Sequence, residues 1–169
     1  MMRLLSAVLL TIVCTSTAYL QTSLKIGSPA PAFAGTTLTG TSRELKDLRG
    51  KVVVVTFWST KCVICHAEIP KLNQFAGRFG PSNVLFLALT MENDEKVAAY
   101  LKSNPFNFEI IPNSFGTVLD YADRDKSGSL DMGFPAYFVI DQHGDVRFRS
   151  GGYNKTGPLS DAIGKLLKN

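Results

Sequence analysis

Cysteine is scarce in this chain, with three in 169 residues, at positions 14, 62 and 65. Three is too few for the disulfide framework of a small secreted scaffold, so the fold must rest on an apolar core. Histidine occurs twice, at His66 and His143, and both read as exposed helix or turn residues rather than catalytic bases. Basic residues number 18 against 14 acids, a net charge of +4, and they are scattered without forming a run. That weak, dispersed charge excludes a nucleic-acid partner. Internal repeats, low-complexity stretches and linkers are absent as well. A chain that is 45% hydrophobic and of this length therefore forms a single domain.

The first apolar run, Leu4 to Val13, is too short to span a bilayer comfortably, and it follows one basic residue, Arg3. With the small-x-small pattern Ser16-Thr17-Ala18 behind it, the segment 1–18 reads as a signal peptide cleaved after Ala18. Residues 19–169 are then the mature domain. An uncleaved anchor is the alternative, and lipidation of Cys14 is disfavoured by Val13, where a small residue is wanted. Loss of the leader removes Cys14 and leaves Cys62 and Cys65 as an isolated pair. Such a pair in an oxidising compartment points to exchange chemistry.

That pair sits in the most informative stretch of the sequence. Val52 to Phe57 is β-branched and apolar throughout, as a strand covered on two faces must be. Trp58 follows, and then Cys62-Val63-Ile64-Cys65 places two thiols three residues apart where a helix begins. On one helical turn they can close a small disulfide ring. The first thiol lies where orphan backbone N–H groups and the helix dipole favour a thiolate, the nucleophile of disulfide exchange.

Around this core the spacing predicts an N-terminal hairpin across Gly40 and a helix from Cys62 to about Phe79 kinked at Pro70. It further predicts a strand at Val84–Leu89 and a helix capped at Asn93-Asp94 running to Lys102. A hairpin pairs Ala136–Ile140 with Asp145–Arg149 through Gln142-His143-Gly144, and a last helix starts at Pro158. Strand and helix alternation gives an α/β fold with a central mixed β-sheet flanked by helices and an N-terminal β-hairpin extension.

Four landmarks occur in order: Gly27-x-x-Ala30-Pro31-x-Phe33; Leu45-x-x-Leu48-Arg49-Gly50-Lys51; Phe57-Trp58 leading to Cys62-x-x-Cys65-x-x-Glu68-x-Pro70; and Gly133-Phe134-Pro135 before Tyr137-Phe138-Val139-Ile140-Asp141. With them the chain resembles the TlpA/ResA-like thiol–disulfide oxidoreductases of the thioredoxin superfamily, related to AhpC/TSA redoxins, over about Gly27 to Leu167. The resemblance implies a thioredoxin fold, Cys62 as nucleophile, Cys65 as resolver, and Pro135 as a cis-proline framing the substrate groove. It implies that Glu68 relays the resolving thiol's proton from beneath the site; the alternative is a solvated helix acid. Trp58, Lys61 and Phe134 would border the groove.

It also implies an extracytoplasmic protein of the bacterial periplasm, most simply a monomer. Such a protein would act as a reductant of protein disulfides in cytochrome c maturation or envelope disulfide reduction, supplied by a membrane electron donor, with no cofactor or metal beyond the Cys62–Cys65 disulfide. The chain departs from the family pattern at Lys61, where many relatives carry tryptophan, and at Val63-Ile64, where a proline-containing dipeptide is common.

Other readings compete. Cys62-Val63-Ile64-Cys65-His66 also spells a haem-attachment motif, but a buried valine strand and the Pro135 landmark have no place in a cytochrome. A peroxidatic cysteine would want threonine and an upstream proline where Ser59 and Val55 stand. A non-enzymatic Cu(I) metallochaperone is the alternative use of the same two thiols. Asp123 to Asp131 matches the opening of a calcium loop with Gly128 at the sharp turn, yet Phe134 occupies the position of the closing bidentate glutamate.

Overall fold

The structure, a computed structural model, describes residues 23–125 and 127–168. The expected leader, residues 1–18 with Cys14, lies outside the described residues, as does Lys126 of the acidic loop.

A five-stranded sheet in the order β5-β4-β3-β8-β9 forms the centre. Its middle strand, β3 (Val52–Phe57), pairs in parallel with β4 (Val84–Leu89) and antiparallel with β8 (Ala136–Ile140). β5 (Glu109–Ile111) runs parallel to β4, and β9 (Val146–Gly151) antiparallel to β8. The valine run is central because no other place can bury it: every residue from Val52 to Phe57 is at most 1% exposed.

Alternate side chains of β3 feed two cores. Val52, Val54 and Trp58 join Leu72 and Phe75 of α1 (Val63–Ala76) and Leu159 and Ile163 of α4 (Thr156–Leu166). Val53, Val55 and Phe57 face the opposite layer with Phe33, Phe138 and Tyr121 of α3 (Phe115–Tyr121). In that second layer the Phe57 ring lies 5.2 Å from Tyr121 and 5.8 Å from Phe138. The Tyr121 hydroxyl donates to the Pro31 carbonyl at 2.9 Å.

β1 (Ala34–Thr36) and β2 (Ser42–Glu44) make the N-terminal hairpin, with Gly40 at φ 83°, and a 3-10 turn follows at Leu45–Leu48. α2 (Asp94–Leu101) opens under Asn93, whose side chain accepts the Lys96 N–H at 3.0 Å. Two features reach the sheet edges from the N-terminal side. Gly27 and Ala30 donate N–H groups to the Val146 and Gly144 carbonyls, while Val146 N–H returns to Ser28. At the opposite edge, Leu38 N–H donates to the Ile110 carbonyl at 3.1 Å, and Arg43 clasps Glu109 through two bonds of 2.6 and 2.8 Å.

Between Leu101 and Ala136 the sequence reading assigned no element, yet β5, α3 and a small hairpin, β6 (Asp123–Arg124) with β7 (Leu130–Asp131), occupy it. α1 ends at Ala76 rather than Phe79, and α4 begins at Thr156, two residues before Pro158. Among the described residues no helix is long and apolar enough to cross a membrane.

Candidate active site

β3 delivers the chain to Trp58, after which a tight turn, with Cys62 N–H on the Ser59 carbonyl at 3.1 Å, aims it into α1. Cys62 is the N-cap of α1: its Sγ accepts the Cys65 N–H at 3.1 Å. One orphan donor of the helix start thus meets this sulfur, an arrangement that favours a thiolate once the pair is reduced. Cys62 and Cys65 are joined by a disulfide with their Cα atoms 5.2 Å apart. Cys62 is half-buried, whereas Cys65 is only 2% exposed. An incoming sulfur therefore reaches Cys62 first.

The loop before β8 closes the other side. Its Phe134–Pro135 peptide is cis, and the Phe134 carbonyl lies 3.5 Å from Cys62 Sγ. Pro135 is buried, and its own carbonyl accepts the Gly152 N–H at 2.8 Å from the loop after β9. Val63 is 82% exposed beside the dithiol, giving the mouth of the site an apolar lip.

Glu68 lies one turn beyond Cys65 on the same helical face, fully buried at 0% exposure. A solvated helix acid is thereby excluded. A buried carboxylate demands partners, and it has two: Asn154 donates its backbone N–H to Oε2 at 2.8 Å, and Lys71 Nζ reaches Oε1 at 3.3 Å. Lys71 also donates to the Tyr153 hydroxyl at 2.8 Å. Tyr153 holds the Lys71 ammonium above its ordinary value against some desolvation, and Glu68 adds to the effect. From β8 beneath, the Tyr137 hydroxyl is buried without a hydrogen-bond partner among the described residues. Burial, and secondarily the Glu68 charge, push its phenol up.

The structure brings Cys62, Cys65, Phe134 and Pro135 together, with Glu68 below them. Two groove assignments fare differently. Lys61 is exposed at the rim, its backbone N–H held by Ser59 Oγ at 3.2 Å. Trp58, at 1% exposure, borders no open groove; its ring packs against Tyr100 and Phe106 at 5.6 and 5.5 Å, because the residue after β3 still points into the α1 core. His66 turns away from the sulfurs to share a 2.8 Å hydrogen bond with the Tyr100 hydroxyl.

Sequence reasoning missed Glu92. Its carboxylate accepts the Thr60 N–H and hydroxyl, each at 2.7 Å, and pairs with Lys96 at 2.5 Å. Burial raises this carboxyl, but Lys96 and both Thr60 donors outweigh it and hold it below the ordinary value. The i,i+4 spacing of Glu92 and Lys96 was the available signal. In the acidic loop Asp123 and Asp125 are engaged elsewhere. Asp123 pairs with Arg149, and Asp125 Oδ1 accepts from Ser127 N–H, Ser127 Oγ and Ser129 N–H at 2.8, 2.6 and 3.0 Å. Asp125 builds the β6–β7 turn that the sequence presented as a calcium loop.

A mixed sheet with a dithiol at the first residue of a helix and a cis-proline loop beside it defines a thioredoxin-fold oxidoreductase. The chain belongs to the AhpC/TSA family, whose model matches residues 26–149. It is 31% identical over 127 residues to the thiol-disulfide oxidoreductase ResA of Bacillus thuringiensis subsp. konkukian, covering 75% of this chain and 69% of the relative. Its likeness to ResA of Geobacillus kaustophilus is 30% over 127 residues, covering 75% and 70%. Among solved structures it is similar to a candidate thiol:disulfide interchange protein DsbE from Chlorobium tepidum. That match has a TM-score of 0.73 and 26% identity, spanning 86% of this chain and 99% of the other. The chain is a thioredoxin-like thiol–disulfide oxidoreductase.

Proposed function

We propose that this chain is an extracytoplasmic reductant of protein disulfides, exported by its first 18 residues and acting as a monomer. The observation that carries the reading is the unequal exposure of the two sulfurs. Cys62 stands half-buried at the helix start beside the Phe134 carbonyl, and Cys65 is sealed behind it above a buried acid. Thiolate Cys62 attacks a substrate disulfide and forms a mixed disulfide, releasing one substrate thiol. Cys65, deprotonated by Glu68, then attacks Cys62 Sγ and releases the second. Pro135 presents the neighbouring backbone to the substrate segment, with Phe134 and Lys61 at its border.

The dithiol is the sole redox group in this scheme, and a membrane electron donor restores it after each turn. Periplasmic placement rests on the apolar leader Leu4–Val13. Disulfide-bonded apocytochromes and misoxidised envelope proteins are the substrate classes that this direction serves.

The deciding experiment is the equilibrium potential of the Cys62–Cys65 couple in dithiothreitol or glutathione buffers, with Cys62→Ser as control. A value near thioredoxin's, about −270 mV, supports a reductant; one near about −120 mV reverses the direction. Absence of a reversible dithiol titration removes the exchange reading and turns attention to Cu(I) binding by the same thiols.

A further inference from the structure

We propose that Lys71 and Tyr153 form a charge-operated cover over Glu68, controlling when the buried carboxylate exchanges its proton with solvent. The proposal rests on the reading of Glu68 as the acceptor of the Cys65 proton.

The cover is assembled from two elements. Lys71, one turn beyond Glu68 on α1, places Nζ 3.3 Å from Glu68 Oε1 and 2.8 Å from the Tyr153 hydroxyl. The same ammonium lies 4.0 Å from the centre of the Tyr153 ring. Carboxylate, ammonium and phenol thus stand in a row from core to surface, with Glu68 at 0%, Lys71 at 41% and Tyr153 at 55% exposure. Asn154 fixes the loop from below with its N–H on Oε2, in a left-handed conformation at φ 61°.

The other ionisable groups around the carboxylate leave Lys71 as its cation. Cys65 comes from α1 and Tyr137 from β8, and neither carries positive charge. Farther out, Arg78, two residues past the end of α1, and Asp161 of α4 line a surface cavity of about 450 Å³ together with Lys71. That cavity leaves open space beside the lysine on the side of Asp161.

While Glu68 is ionised, the ammonium is drawn onto it and keeps water off the carboxylate. When the mixed disulfide is resolved, the Cys65 S–H proton passes to Glu68 and the thiolate attacks Cys62 Sγ. The Cys62–Cys65 bond forms, the Cys62–substrate bond breaks, and the substrate sulfur leaves with the electron pair and takes a proton from water. The dithiol has lost two electrons and the substrate disulfide has gained them. Neutral Glu68 no longer holds Lys71, which moves outward; water then removes the proton and the restored charge draws the ammonium back. Lys71 and Tyr153 touch no substrate and act as positioning residues.

Stopped-flow reaction of the reduced protein, with Cys14→Ser in every variant so that Cys62 and Cys65 are its two thiols, with Ellman's reagent reads the step directly. The first thionitrobenzoate release reports attack by Cys62, and the second reports resolution by Cys65. Glu68→Gln slows the second release by roughly 10²-fold. Lys71→Met moves the pH midpoint of that release upward by about one unit, a loss of roughly tenfold at fixed pH on the acid limb. Tyr153→Phe moves it in the same direction by less, and Lys71→Arg restores the wild-type profile. If Glu68→Gln leaves the second release unchanged, the relay reading fails and takes the cover with it. If Glu68→Gln slows it but both Lys71→Met and Tyr153→Phe keep the wild-type midpoint, the relay stands and the cover is overturned.

Discussion

Thr60 is bound to Glu92 twice, through its backbone N–H and its hydroxyl, each 2.7 Å from a carboxylate oxygen. The segment entering the dithiol is thereby pinned, two residues before Cys62, to the loop between β4 and α2. Because Lys96 and Thr60 hold Glu92 below the ordinary carboxylate value of 4.5, the contribution is fully present above that value. It is lost as pH falls through the lower folded-state value. Glu92→Gln should cost about 1–3 kcal/mol at neutral pH and flatten the acid limb of stability, read from urea midpoints between neutral and acid pH. An unchanged acid limb would remove Glu92 from this role.

The two sulfurs should separate cleanly by substitution. Cys62→Ser is expected to abolish disulfide reduction, whereas Cys65→Ser should react once and stay linked to its substrate. Mass spectrometry after mixing with a disulfide-bonded peptide distinguishes them: a stable adduct on the Cys65→Ser variant is required, and one on Cys62→Ser instead would exchange their roles.

Two buried tyrosines make a matched pair. Tyr121 donates to the Pro31 carbonyl, and its removal as Tyr121→Phe should cost about 1 kcal/mol. Tyr137 has no partner for its hydroxyl among the described residues, so Tyr137→Phe should be neutral or stabilising. Denaturation midpoints compare them; equal losses at both sites would mean that the Tyr137 hydroxyl is satisfied after all.

Gly35 in β1 lies against Ile111, where an added Cβ would clash with the isoleucine Cγ2. Isoleucine is stiff at χ1 and cannot swing aside cheaply. Gly35→Ala should therefore destabilise by about 1–3 kcal/mol, with Gly116→Ala, which meets nothing within 4 Å, as the mild comparison. Thermal unfolding of both variants tests the difference.

Local pattern made part of this molecule legible. The run Val52–Phe57 read as a central strand because burial on both faces leaves no polar alternation, and Cys62-x-x-Cys65 with Phe134-Pro135 marked the site from residues that carry their own chemistry. α3 escaped notice because it is seven residues long, contains Gly116 and opens at Ser114 without a side-chain cap. The support of Glu68 was out of reach for another reason: Asn154 is 86 residues away in sequence. Nothing in Gly151-Gly152-Tyr153-Asn154 names its distant partner. Trp58 looked like a groove residue from its place beside the cysteines, but the strand's alternation carries it inward.

The N-terminal stretch meets both borders of the sheet, Gly27 to Ala30 along β9 and Leu38 with Arg43 along β5. At Val146 and at Ile110, backbone groups that would otherwise template another strand are already engaged. In the role proposed here the protein handles incompletely folded chains whose own strands lack partners. Borders occupied at these points leave less edge for such chains to pair with, so that the protein touches them through a sulfur and a short loop and then lets go.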